Sequence, residues 1–275
     1  MTDYQAVNRA NWDDRVPVHL RSSDFYPTQR FIDDPAYLSH VVAFDLPRLG
    51  DISGLRGVHL QCHIGTDTLS LSRLGADMTG LDFSEPAIAA ATELAASAGA
   101  DTSFVVSDVY GALSVLEAGA YDLVYTGVGA LCWLPEIRRW AEVVAALLRP
   151  GGRLFLREGH PVLWSLEYER PPGHLEIEYA YFETEQPLIF DEPSTYTDPD
   201  AVIAHGLTHE WNHGLGEIVT ALLEQGMTLT MLEEHRSVPW EAMPGSMSVD
   251  EAGEWRLVDR PERLPLTYTL QAVKV

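Results

Sequence analysis

Residues 57–84, GVHLQCHIGTDTLSLSRLGADMTGLDFS, decide the fold of this 275-residue chain. A short apolar run, Gly57 to Cys62, leads into a turn that carries Gly65. A helical segment follows from Thr66 to Leu74, and a second short run, Asp77 to Leu81, stops at Asp82. Short apolar runs bounded by turn residues read as buried strands, so the stretch is one β-turn-α-β unit.

The rhythm continues outward from that unit. Pro86 to Ala98 is an Ala-rich helix with proline in its first turn, where the missing N–H is harmless. Thr102 to Val106 is β-branched and aromatic, Leu113 to Leu116 reads as a short helix, and Tyr121 to Tyr125 as a strand. In the helix Pro135 to Leu148, the residues Ile137, Trp140, Ala141, Val144 and Leu148 share one face. The turn Arg149 to Gly152 then delivers the strand Arg153 to Leu156. Leu215 to Gln225 is a helix, and Met227 to Glu233 and Leu266 to Val275 are strands. The expected fold is α/β, a doubly wound, mostly parallel, seven-stranded sheet covered on both faces.

Two stretches break the alternation. Residues 1–50 carry scattered aromatics with weak periodicity until Pro35 to Leu49, where apolar spacing predicts a helix. They read as an N-terminal helical cap or lid. Residues 159–213 hold prolines at 161, 171, 172, 187, 193 and 199 and strand-like patches at Leu175 to Phe182 and Pro187 to Phe190. A segment this long is more than a connection and reads as an insertion covering the sheet's ligand end. Residues 51–158 and 214–275 then form the core.

Charge narrows the partners. Forty-one acidic residues against 18 basic ones give a formal charge of −23, a surface that repels phosphate backbones and anionic lipid. Nucleic acid and membrane are poor candidates, and a small molecule in a pocket remains. Cys62 and Cys132 stand far apart with no metal-type spacing, so neither a metal site nor a disulfide framework is expected. No apolar stretch approaches membrane-spanning length. The reading is a soluble cytoplasmic protein, with a homodimer possible through the insertion.

The chemistry should gather at the carboxyl ends of the strands, where open α/β sheets bind ligands. Gly65 would let backbone approach a ligand, and the helix from Thr66 would aim free N–H groups at an anion. Asp82 suits a pair of ribose hydroxyls, and Asp108 an exocyclic amine, although either could be an ordinary helix cap. A nicotinamide dinucleotide is disfavoured, because Gln61 and His63 stand where a pyrophosphate loop needs glycine.

These motifs resemble those of the class I S-adenosylmethionine-dependent methyltransferases. VHLQCHIG is similar to their first motif, GLDFS to the second, SDVY to the third, YDLVYTGVGALCWL to the fourth, and LRPGGRLFL to the turn and strand after it. The likeness extends to a bacterial subgroup with a VLHLQCHFG-type first motif, through Glu158 to Trp164 and Glu210 to His213. His59, Gln61 and His63 depart from the commoner superfamily pattern of an acid and two glycines, and the subgroup shares these departures.

The resemblance implies S-adenosylmethionine as cofactor and S-adenosylhomocysteine as product. The turn Gln61 to Gly65, with His63, would hold the methionine moiety, Asp82 the ribose, and Phe83 and Val109 the adenine faces, with Thr68 and Ser84 also cofactor-binding. Asp108 would take the adenine amine, with Thr126 and Gly127 near the transferable methyl. Aromatic faces at Trp12, Tyr26, Trp133, Trp164 and Trp211 are candidates for the acceptor pocket, though each alone could be core. If the acceptor must lose a proton, His160 is the first candidate base, with Glu158, His209 and His213 behind it. An aromatic pocket under an acidic exterior favours a heteroaromatic or amine acceptor. Non-methylating use of the cofactor and non-catalytic binding stay open as alternatives.

Overall fold

The computed structural model describes residues 3–167, 171 and 173–275. Of the stretch expected as an insertion, 168–170 and Pro172 lie outside the described residues. The chain runs α1 (Tyr4–His19), α2 (Thr28–Asp33), α3 (His40–Leu49), β1 (Arg56–Leu60), α4 (Thr66–Arg73), β2 (Asp77–Asp82), α5 (Glu85–Ser97) and β3 (Ser103–Val106). It continues through β4 (Tyr121–Thr126), α6 (Ile137–Leu147), β5 (Leu148–Gly159), α7 (Pro161–Trp164), β6 (Leu188–Asp191), β7 (Leu207–Glu210) and α8 (Leu215–Glu224). It closes with β8 (Met227–His235), β9 (Met247–Val249), β10 (Trp255–Leu257) and β11 (Thr267–Lys274).

Seven strands form one sheet in the order β3-β2-β1-β4-β5-β11-β8. The first five are parallel, and β11 runs antiparallel to both its neighbours. Strand order reverses between β1 and β4, which pair from Gly57 with Leu123 to Leu60 with Thr126. That reversal opens a crevice at the strands' carboxyl ends.

Period-two alternation fills both faces. Val124, Leu154 and Leu156 point to one layer, where they meet Ile137, Trp140, Ala141 and Val144 of α6 and Ile218 and Leu222 of α8. Leu123, Tyr125 and Phe155 point to the other, against Val42 and Leu49 of α3 and Leu71 of α4. Each fully buried Leu, Ile or Val contributes about 1.5–3 kcal/mol. A third apolar cluster joins Leu163 and Leu166 to Val238, Met247, Leu257 and Leu266, seating the β9–β10 hairpin beside the sheet.

Four departures from the sequence reading have physical causes. The N-terminal cap is helical, as expected, but the sequence did not place α1 itself; Asp3 caps it by accepting from Ala6 N, and its buried residues include Asn8, Asn11, Arg15 and His19. That spacing is helical, but the residues are polar, so no apolar stripe marks it. The helix between 35 and 49 starts only at His40, capped by Ser39. The short helix expected over Leu113 to Leu116 is a 3-10 turn over Val109–Ser114. Leu175 to Phe182 forms no strand; Ile177 makes only an isolated bridge to Leu166, whereas β6 pairs with β7.

Candidate active site

A cavity of about 1000 Å³, counting its mouth, opens over the carboxyl ends of β1 to β4. Its floor is the turn after β1. Gln61 and His63 have φ of 58° and 49°, and Gly65 has 78°. The left-handed backbone of a glycine turn is therefore kept although two of its residues carry side chains, at about 1–2 kcal/mol each. Compensation is visible: Gln61 Nε2 donates to Ala130 O at 2.8 Å, and His63 N donates to Asp82 Oδ2 at 2.8 Å.

Asp82 lines the cavity and is buried, with Oδ1 accepting from Ser84 N at 3.0 Å. Burial raises its carboxyl to about 6, against the pull of the backbone N–H donors. Asp108 does two jobs, since Oδ1 accepts from Gly111 N at 3.1 Å while the residue also faces the cavity. Phe83, Val109 and Gly127 line it as well.

The remaining residues expected at the floor lie beneath it. Gly65 does not reach the cavity. A Cβ there would meet Ala91 Cβ at 2.8 Å and Phe104 Cε1 at 2.8 Å, so its bareness serves helix and strand packing. Thr68 is buried and holds His59 Nδ1 at 2.9 Å. Ser84 caps α5, accepting from Ala87 N and donating to Asp13 at 2.6 Å. Thr126 is fully buried.

The roof is aromatic. Trp12 and Tyr26 come from the first thirty residues, Trp133 from the loop after β4, and Tyr196 from the stretch after β6. Tyr26 and Tyr196 share a hydroxyl hydrogen bond at 2.5 Å. Behind them His19 bridges roof and floor, with Nδ1 2.8 Å from His63 Nε2 and Nε2 2.8 Å from Thr195 Oγ1. Burial takes His19 down to about 2 and His63 to about 3, so both imidazoles are neutral. The Arg15 guanidinium lies over the Trp12 and Trp133 rings at 5.0 and 5.8 Å. On the insertion side, Asn8 Nδ2 donates to His209 O and Asn8 Oδ1 accepts from His209 N, both at 2.8 Å, so α1 borrows strand pairing from β7.

The expected bases are placed elsewhere. Glu158 is buried and accepts from the N–H groups of Gly129, Ala130, Leu131 and Gly159 at 2.6–2.8 Å, which saturates both oxygens. His160 caps α7, with Nδ1 accepting from Val162 N and Nε2 2.9 Å from a Glu234 oxygen. His213 places Nδ1 2.8 Å from Glu183 and Nε2 2.7 Å from Leu134 O. His209 is buried where β7 meets α1. Trp164 stacks on Trp240 and Trp211 is buried; both border a small space behind residues 131–132. None of these six lines the main cavity.

Lining residues that sequence reading missed include Tyr4, Asn8, His59, Asp67, Tyr110 and Tyr196. For Tyr4 and Asn8 the available signal was the polar helical spacing of α1. Among the described residues no cluster of His, Cys, Asp and Glu could hold a metal ion, and no helix is long and apolar enough to cross a membrane. Cys62 and Cys132 are buried and unpaired. The lining includes three aspartates, 67, 82 and 108, and no lysine or arginine. A phosphorylated ligand is repelled there, and a cationic one attracted.

Residues 58–154 match a family described as a methyltransferase domain. Among solved structures, an S-adenosylmethionine-dependent methyltransferase from Mesorhizobium loti aligns with TM-score 0.59 and 23% identity over 84% of this chain and 97% of that one. A magnesium protoporphyrin IX methyltransferase from Synechocystis, with bound S-adenosylhomocysteine, aligns with TM-score 0.57 and 18% identity over 99% of this chain and 100% of that one. In sequence, a ubiquinone biosynthesis O-methyltransferase of Cronobacter sakazakii is 29% identical over 152 residues, 55% of this chain and 56% of the relative. One from Xanthomonas axonopodis is 31% identical over 154 residues, 50% of this chain and 64% of the relative. The chain thus spans less than two thirds of the length of these curated relatives. Its sheet shares the fold of these S-adenosylmethionine-dependent methyltransferase structures, and residues 58–154 match the methyltransferase-domain family.

Proposed function

We propose that the protein transfers a methyl group from S-adenosylmethionine to a small aromatic acceptor. The observation that carries this reading is the cavity's composition: three aspartates and no basic residue on the floor, under a roof of tryptophan and tyrosine. The donor set fits the cofactor. Asp82 keeps acceptor capacity for ribose hydroxyls beyond its two backbone bonds, Asp108 can accept from the adenine amine, and Phe83 and Val109 can flank the base. When bound, S-adenosylmethionine would supply an electrophilic methyl on a sulfonium.

The chain's own work is alignment and shielding. Holding donor and acceptor at near-attack distance contributes up to about 7–11 kcal/mol in favourable cases. Trp12, Tyr26, Trp133 and Tyr196 would exclude water and present ring faces to positive charge, at about 0.5–2 kcal/mol each. A phenol-type hydroxyl is the acceptor we favour. The sequence relatives named as ubiquinone biosynthesis O-methyltransferases support it, as does an aromatic roof without a basic anchor for phosphate. A heteroaromatic or amine acceptor meets the same roof. The setting we propose is the cytoplasm, in keeping with two unpaired buried thiols.

Titration calorimetry with S-adenosylmethionine and S-adenosylhomocysteine tests the reading, with binding of both expected. Absence of heat from either would sink it. A mass-spectrometric screen of phenols, heteroaromatics and amines for gain of one methyl then identifies the acceptor class.

A further inference from the structure

Asp67 is the cavity carboxylate for which sequence reading assigned no role. It stands in the first turn of α4, where an acidic residue would ordinarily do no more than complement the helix dipole. Here it lines the cavity, beside the bare backbone of Gly127. The position that a Cβ on Gly127 would occupy lies 3.6 Å from Asp67 Oδ2, 3.6 Å from His59 Nε2 and 3.8 Å from the Tyr125 ring. Gly127 therefore leaves a small space in which a carboxylate oxygen and an imidazole nitrogen face one point.

That point is electrically unbalanced. No lysine or arginine lines the cavity. Burial raises the Asp67 carboxyl, and although Arg157 draws on it through space, Arg157 gives Nη2 to both oxygens of Glu254 at 2.9 Å. Burial makes His59 neutral, lowering it to about 3, so it brings no compensating charge. In the tautomer whose Nδ1–H donates to Thr68 Oγ1, 2.9 Å away, Nε2 is free to accept. Two acceptors, one of them a carboxylate, around an empty corner recognise a cationic N–H donor.

Sheet order says which part of the ligand reaches that corner. Asp108 follows β3, Asp82 ends β2, and Asp67 with Gly127 sits where β1 meets β4. For a nucleoside held with its base at Asp108 and its ribose at Asp82, the next polar groups along this order, open to its 5′ substituent, would be Asp67 and His59 beside Gly127. In the proposed cofactor that substituent ends in an α-amino acid.

We propose that Asp67, with His59 Nε2 beside it, binds the α-ammonium of S-adenosylmethionine and so selects for the amino-acid end of the cofactor. The assignment rests on the proposed function. It makes Asp67 a binding residue with no part in the bond-making step, and it predicts discrimination against ligands that lack the amine.

The test is calorimetry on the full chain with three ligands: S-adenosylhomocysteine, its desamino analogue, and 5′-deoxy-5′-methylthioadenosine, which lacks the amino-acid end. The unsubstituted protein should prefer S-adenosylhomocysteine over the desamino analogue by about 10- to 100-fold, as a charged hydrogen bond predicts. Asp67→Asn should erase that preference while leaving methylthioadenosine binding unchanged. Equal affinity for the two larger ligands in the unsubstituted protein overturns the assignment even if the variant fails to fold. A folded variant that weakens all three ligands alike overturns it too, since Asp67 would then only shape the turn. No binding of any ligand by the unsubstituted protein removes the proposed function itself.

Discussion

The large cavity over β1 to β4 and the small space behind residues 131–132 are built from similar side chains. Each has a carboxylate at a strand end, a histidine and two or more aromatic rings. They differ in what the polar atoms already hold. Glu158 spends both oxygens on four backbone N–H groups, and His213 both nitrogens on Glu183 and Leu134. Asp82 and Asp108 hold one or two backbone N–H groups each and still face open space. Residue type and strand-end position do not make a binding group; unspent hydrogen-bonding capacity beside a void does.

Substitutions on the two sides should therefore separate stability from binding. Glu158→Ala strands three or four buried donors, and at about 1–3 kcal/mol each the loss should reach about 4 kcal/mol or more in urea unfolding. A loss below about 1 kcal/mol would erase the contrast. Next in size, Trp211→Ala should cost about 3–5 kcal/mol as a buried ring. Its counterpart Trp12→Ala should cost under about 1.5 kcal/mol, because the ring is half-buried at the cavity, and should instead raise the acceptor KM. Equal stability losses would show that the roof is core.

The pH dependence gives a smaller effect with a definite sign. Burial raises the folded-state value of Asp82 to about 6, above that of an unfolded carboxylate. Its contribution to the stability of the free protein is fully present below the unfolded value and is lost as pH rises through about 6. Accepting from two ribose hydroxyls needs the ionised form, so cofactor affinity should move the opposite way. It should weaken by up to about tenfold per pH unit below 6, and a flat affinity between pH 5 and 7 would remove Asp82 from the ribose site. The smallest effect is expected for Gln61→Gly. Relief of a left-handed backbone, about 1–2 kcal/mol, is offset by loss of the bond to Ala130 O, about 0.5–1.5 kcal/mol. Unfolding midpoints should shift by the equivalent of about 1 kcal/mol or less.

How much of this could be read from residues alone follows from the same contrast. All seven sheet strands were legible, because β-branched and apolar runs must fill two helix-covered faces. Asp82 and Asp108 were legible because strand ends in such a sheet converge, whereas Phe83, Val109 and Gly127 came only through the resemblance to methyltransferase motifs; all five line the cavity. Helix α1 was not, since its inward face is Asn8, Asn11, Arg15 and His19 and carries no apolar stripe. Glu158, His160 and His213 looked like bases because a sequence does not show which backbone N–H groups will fold against a side chain. Asp67 was hidden by its own plausibility as a first-turn acid, and Tyr196 by a stretch with little regular structure.

The pairing of α1 with β7 sets an order of assembly. Asn8 and His209 are 201 positions apart, and His19 and Thr195 are 176 apart. The sheet floor from β1 to β4 closes through short connections, whereas the roof must wait for loop closures across most of the chain. A helix near the start of the sequence thus reaches its seat only after residues some 200 positions later exist to receive it, and the aromatic cover is completed after the floor it shelters.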